Sequence, residues 1–182
     1  MKKFSPLKTT IQKNNAVTDE SLERFGNMCF ETNANGINIK LQIRGYTPTN
    51  EDDWHNEWCE CDYSFSSGNW LNYHKEGDEA FLSIEVEGLA RAFSDLLDNK
   101  ITEVTEMTCV EPDFIFKLFP QADLRNDPKY AYIRTGCEIR DIYLEWKIYF
   151  WNDGLTDNHL SVKLDRADIV RLRDYFASVI NG

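Results

Sequence analysis

Long apolar runs are missing from this chain, and so are glycine-rich loops and histidine clusters. No stretch approaches the roughly 18 consecutive apolar residues that a membrane span needs. Met1-Lys2-Lys3 starts like a signal peptide, but Lys8, Gln12, Lys13 and Asn14 interrupt the apolar stretch that should follow, which points to the cytoplasm. Five cysteines, an odd number, do not read as a disulfide framework. The nine glycines are scattered at turns, so no loop cradles a phosphate and no cofactor is expected. Only three histidines occur, His55, His74 and His159, none beside a nucleophile in a recognisable context. No catalytic constellation emerges, and binding rather than chemistry is the expected function.

What is abundant is aromatic and acidic. The 182 residues include 11 Phe, 8 Tyr and 5 Trp, enough to fill the interior of a sheet with some left for a surface. The net charge of −11 is concentrated in one third of the chain. Residues 1–50 hold seven basic and four acidic side chains, residues 51–113 three and seventeen, and residues 114–182 ten of each. An acidic third of this kind repels nucleic acid and anionic lipid and favours a cationic partner, although many acidic proteins are so only for solubility.

Hydrophobic spacing predicts one α+β domain over residues 1–182, with 1–16 a loose lead-in. Strict alternation marks Ile37–Arg44 as a strand, and Asn35-Gly36 before it signals a hairpin with residues 27–32. From Trp58 the alternation returns, with Cys59, Cys61, Tyr63 and Phe65 on one side. Further strands are expected at Phe81–Val86, Ile101–Val110, Phe114–Phe119, Ile139–Trp151 and Leu160–Leu164. Amphipathic helices are expected over about 88–99 and 166–180, the second opened by Asp165 and Asp168 in a capping arrangement. The sum is a mostly antiparallel sheet of about seven to nine strands with two helices. Leu82–Glu87 and Leu160–Asp165 resemble each other, as duplicated strand–helix units or any two capped helices after strands would.

Cys59-Glu60-Cys61 is a weak metal signal, because a structural zinc site needs two cysteine or histidine pairs; alternation puts both thiols in the core. No metal ligand set is assigned. The remaining constellation is acidic and aromatic: Glu51, Asp52, Asp53, Trp54, Glu57 and Trp58, running into the outward-facing Glu60 and Asp62. Indoles anchor interfaces and carboxylates steer basic partners. The bland alternative has the tryptophans closing the core and the acids solvating a loop.

The layout resembles the WapI-type immunity proteins, bacterial proteins that neutralise the toxic tip of a polymorphic or contact-dependent toxin. The likeness rests on the Ile37–Arg44 strand ending in Gly45-Tyr46, Asp53-Trp54 with Glu57-Trp58-Cys59, and Phe81–Val86 leading into the Leu89–Leu97 helix. Asp113-Phe114-Ile115-Phe116 and the closing Leu160–Leu164 strand with its helix complete it. The resemblance implies a cytoplasmic, non-enzymatic inhibitor that binds a cognate toxin domain. A basic, nuclease-like toxin agrees with the acidic charge. A small-ligand-binding or regulatory α+β domain, and a self-associating module, are the alternatives.

Overall fold

A computed structural model describes residues 28–49, 58–130, 132–152 and 154–182. Strand β1 (Phe30–Ala34) turns at Asn35-Gly36 into β2 (Ile37–Arg44), and both turn residues have positive φ, 54° and 82°. Asparagine and glycine tolerate that geometry, and its twist matches the hairpin. Strands β3 (Trp58–Ser67) and β4 (Leu71–Leu82) continue an antiparallel sheet in the order β1-β2-β3-β4. Helix α1 (Ser83–Leu97) follows at once.

The second half repeats this plan. Strands β5 (Thr105–Thr108) and β6 (Phe114–Phe119) are followed by a two-residue ladder of β7 (Ala122–Asp123) with β8 (Ile139–Arg140). Then come β9 (Tyr143–Trp151), β10 (Leu155–Leu164) and helix α2 (Arg166–Asn181). The second sheet runs β10-β9-β6-β5, again antiparallel throughout. The fold is therefore α+β, as expected. The described strands number ten, and the β7–β8 ladder is one element the sequence did not announce.

Alternate residues of both sheets face a shared interior, which both helices close. Phe65 meets Trp146 edge-on at 5.7 Å, joining the sheets, and Phe93 meets Phe176 at 5.8 Å, joining the helices. Phe81 packs on Phe114 and Phe176, so sheets and helices share one aromatic cluster. Edge-to-face pairs of this kind add about 0.5–1.5 kcal/mol to the area they bury.

Several boundaries differ from the hydrophobic pattern. Phe81–Val86 is not a strand: β4 ends at Leu82, and α1 begins at Ser83, not near 88. Leu82, Ile84 and Val86 mimic strand alternation, but the Glu85 side chain accepts the Leu82 N–H at 2.9 Å and closes the first helical turn. Val86, Leu89, Ala90, Phe93 and Leu96 form the buried stripe, leaving Ile84 43% exposed. The helix ends where Asn99 takes φ 57°, with Lys100 N–H bonded to the Asp95 carbonyl at 2.8 Å. Of Ile101–Val110 only Thr105–Thr108 pairs, and Ile139–Trp151 is broken at Asp141-Ile142. The Leu82–Glu87 and Leu160–Asp165 echoes do not coincide, because the helix caps are Leu82 in one and Asp165 in the other.

Candidate functional site: a charged corner between the sheets

β4 gains a residue on β3 twice. Tyr63 faces Lys75, Cys61 faces Asp78 and Cys59 faces Phe81, so two steps on β3 match three on β4 at each stage. These are β-bulges, and Gly77 at φ 62° permits the first. Bulges re-aim side chains. Here they turn Lys75 and Asp78 toward the corner where β6 begins and β9 ends.

Asp113, just before β6, is the buried centre of that corner at 3% exposure. The Tyr63 hydroxyl donates to Asp78 Oδ2 at 2.7 Å and lies 3.4 Å from Asp113 Oδ1. Lys75 Nζ is 3.0 Å from Asp78 and 3.5 Å from Asp113. The Trp151 indole N–H donates to Asp113, and Lys75 Nζ lies 4.9 Å from the Trp151 ring centre. Burial raises the Asp113 carboxyl above the usual range, with Lys75 opposing. Burial, aided by Asp78 and Asp113, also holds the Tyr63 phenol neutral. Burial pulls the Lys75 ammonium down, but the two carboxylates outweigh it and keep it charged.

Outside this network opens a cavity of about 490 Å³, lined by Lys75, Gly77, Asp78, Glu79, Glu111, Asp113 and Trp151. Four carboxyl groups face one ammonium, next to an indole. Such a recess suits a cationic group, which gains both carboxylate pairing and the aromatic face. Two further cavities, of about 230 and 440 Å³, lie on the outer face of the first sheet, and both include Lys40 and Ser64.

Of the residues singled out from the sequence, Glu51, Asp52, Asp53, Trp54 and Glu57 lie outside the described residues. Trp58 opens β3 opposite Leu82 and is half-buried; Glu60 is exposed opposite Arg44. Asp62 is engaged within the fold, accepting from Arg44 at 2.6 Å and from the Gly77 N–H at 2.8 Å. The indole most open to solvent among the described residues is Trp70, at the β3–β4 turn, 70% exposed. Cys59 and Cys61 are fully buried on the core side of β3, and burial pushes the Cys61 thiol well up. Among the described residues no group of three or more His, Cys, Asp or Glu is arranged to hold a metal. Nor is any helix there long and apolar enough to cross a membrane.

The acidic segment is pinned just before it begins. Glu87 of α1 accepts from the Tyr46 hydroxyl at 2.9 Å, from the Thr49 N–H at 3.2 Å and from the Thr49 hydroxyl. Burial alone would raise the Glu87 carboxyl, but these bonds outweigh it and hold it below the usual range. A depressed carboxylate contributes stability that is present above its unfolded value and is lost as pH falls through the folded one. Glu87→Gln is therefore expected to melt lower than the parent near pH 6, with the gap closing toward pH 3. Thermal melts across that range check it, and a constant gap would refute the assignment.

The sequence reading passed over Asp78, Asp113, Lys75 and Trp151. A glycine inside a strand-like run, Gly77, was the available sign of a bulge. Asp113 stands in the sequence only as the residue before the Phe114–Phe119 strand, with nothing to mark it as buried.

The immunity protein WapI-like family model matches residues 29–181. The chain belongs to that family. No curated protein and no solved structure matches it. The family match runs from before β1 to the last residue of α2, so the two sheets, both helices and the charged corner all lie within it. Membership brings toxin neutralisation as the function to be explained and makes a protein the expected partner.

Proposed function

We propose that this chain is an immunity protein that binds a cognate, basic, nuclease-like toxin domain and blocks it by contact, without chemistry of its own. The observation that carries this reading is the recess beside Trp151, where Asp78, Glu79, Glu111 and Asp113 face a single lysine. An arginine or lysine of the toxin enters it, pairing with Glu79 and Glu111 and lying against the indole. The segment with Glu51, Asp52, Asp53, Trp54, Glu57 and Trp58, continued by Glu60, extends the acidic surface and steers the encounter. Asp62, tied to Arg44, holds the bulge rather than the partner. A nuclease must hold phosphate and is basic for that reason, so an acidic blocker fits it electrostatically. The family match supports the protein partner, and the location in the cytoplasm follows from where a nuclease toxin acts.

The test is to take a candidate toxin domain from the genes flanking this one and express it in a bacterium, with and without the chain. Restored growth and co-elution of the two proteins from a sizing column are expected. Unrelieved toxicity, with both proteins folded and present, would reject the reading.

A further inference from the structure

We propose that the free edge of β5 is a docking strand, to which an extended, basic segment of the toxin adds as a fifth strand of the second sheet. This rests on the toxin-binding reading above and goes beyond the recess it invokes. Edge strands present unpaired backbone groups, and folded proteins blunt them. The two sheets have four edges, and three are blunted. On β1, Arg171 donates to the Glu31 carbonyl at 3.4 Å and to the Thr32 hydroxyl at 2.6 Å. β4 is interrupted by its two bulges. The register of β10 breaks between Leu155 and His159, and its regular part, His159 to Leu164, carries Lys163, the kind of charge that guards an edge. β5, like β1, keeps an unbroken register along its whole length, Thr105 to Thr108 against Leu118 to Ile115, but among the described residues no side chain is bonded to its outward backbone groups as Arg171 is to those of β1.

The direction of the backbone groups can be read from their neighbours. The Cys109 N–H reaches the Phe114 carbonyl at 3.3 Å, continuing the ladder toward β6. N–H groups alternate along a strand, so those of Glu106 and Thr108 face away from β6. The Val110 N–H faces the same way and is taken by Glu85 of α1 at 2.6 Å. Among the described residues, neither the Glu106 nor the Thr108 N–H meets an acceptor. The side chains flanking this stretch are exposed, Val104 at 50% and Val110 at 63%.

Sequence and charge specify the occupant. Residues 101–111, Ile-Thr-Glu-Val-Thr-Glu-Met-Thr-Cys-Val-Glu, are rich in strand formers, of which only four residues pair. They carry Glu103, Glu106 and Glu111 with no lysine, arginine or proline to guard the edge. An added strand supplies main-chain bonds for affinity, while its basic side chains answer the glutamates. Glu111 also lines the Trp151 recess, so a strand lying on β5 leads directly into it.

The probe is the toxin domain that the growth test above identifies, mixed with the full chain. Amide exchange at Glu106 and Thr108 is expected to slow at least about tenfold in the complex, as donors that gain a strand partner do. Thr108→Pro deletes one outward donor without touching the ladder to β6, a change that edge strands tolerate. It is expected to melt like the parent and to bind at least about 30-fold more weakly. Should that variant unfold, the exchange measurement on the parent decides alone. Unchanged exchange in the complex, or full affinity of a folded Thr108→Pro, overturns the inference. The recess reading survives that result if Glu79→Lys with Glu111→Lys still weakens binding. If the parent binds no toxin at all, both fall. A concentration-dependent dimer of the free chain that Thr108→Pro abolishes assigns the edge to a second copy and also overturns the inference.

Discussion

Replacing Lys75 by methionine is expected to destabilise the chain by on the order of 3 kcal/mol, because it strands two carboxylates in a mostly buried corner. Lys75 is the cation within 3.0 Å of Asp78 and 3.5 Å of Asp113. The Asp113 side chain is only 4% exposed and cannot turn to water. Methionine preserves the stem's packing, so the loss reports the charge. For a domain of this size the drop corresponds to roughly 6–12 °C in Tm. The sign of its pH dependence is fixed. Burial already raises the folded Asp113 carboxyl above its unfolded value, and losing the ammonium raises it further. A raised carboxyl binds its proton more tightly in the native state, so the deficit is largest near neutral pH and shrinks as pH falls through the raised value. Adding Asp78→Asn and Asp113→Asn is expected to recover much of the loss, since a neutral corner needs no counter-ion. Melts of the single and triple variants at pH 7 and pH 5 measure it. A single variant within 1 kcal/mol of the parent at pH 7 would show the corner to be wetter than its burial implies.

The fold was largely legible because alternation is a strong code. Ile37–Arg44, Phe114–Phe119 and the stripe Ile142–Ile148 each bury one face as their spacing demands. Asp165 and Asp168 cap α2 as the residues suggest, each accepting from the other's backbone N–H. The errors arose where two periods coincide. Leu82-Ser83-Ile84-Glu85-Val86 fits both a strand and a first helical turn, and a side-chain bond from Glu85 settles it. The charged corner was harder to foresee. Its residues come from β3, β4, the turn before β6 and the end of β9, and nothing local links Asp78 to Asp113 or Trp151. Two bulges bring them together, and a bulge leaves only a glycine as its trace in sequence. Aromatic–acidic composition pointed to a different stretch, Glu51 to Asp62, most of which lies outside the described residues. It did not locate this recess, because counting carboxylates along the chain finds clusters in sequence and not in space.

Charge reversal distinguishes the recess from the acidic loop. Glu79→Lys with Glu111→Lys places two cations at the mouth of the cavity while leaving Asp78, Asp113 and Trp151 in place. Glu79 is exposed and Glu111 partly so, and neither bonds to the buried network, so stability is expected to stay within about 1 kcal/mol. Association with the toxin domain is expected to slow by about tenfold or more at low salt, with a flatter salt dependence. Affinity falls further if a toxin arginine is desolvated there, since an unpaired buried charge costs roughly 2–5 kcal/mol. Reversing Glu51, Asp52, Asp53, Glu57 and Glu60 instead removes only steering, slowing association while leaving the off-rate near the parent's. Trp151→Phe keeps an aromatic face but loses the N–H to Asp113, and is expected to act on the off-rate. Trp54→Ala and Trp58→Ala provide the matching comparison on the loop. Binding kinetics at two salt concentrations separate these effects. If the recess variants keep the parent's rates and the loop variants raise the off-rate, the toxin is gripped by the loop, and the corner serves only to hold the sheets together.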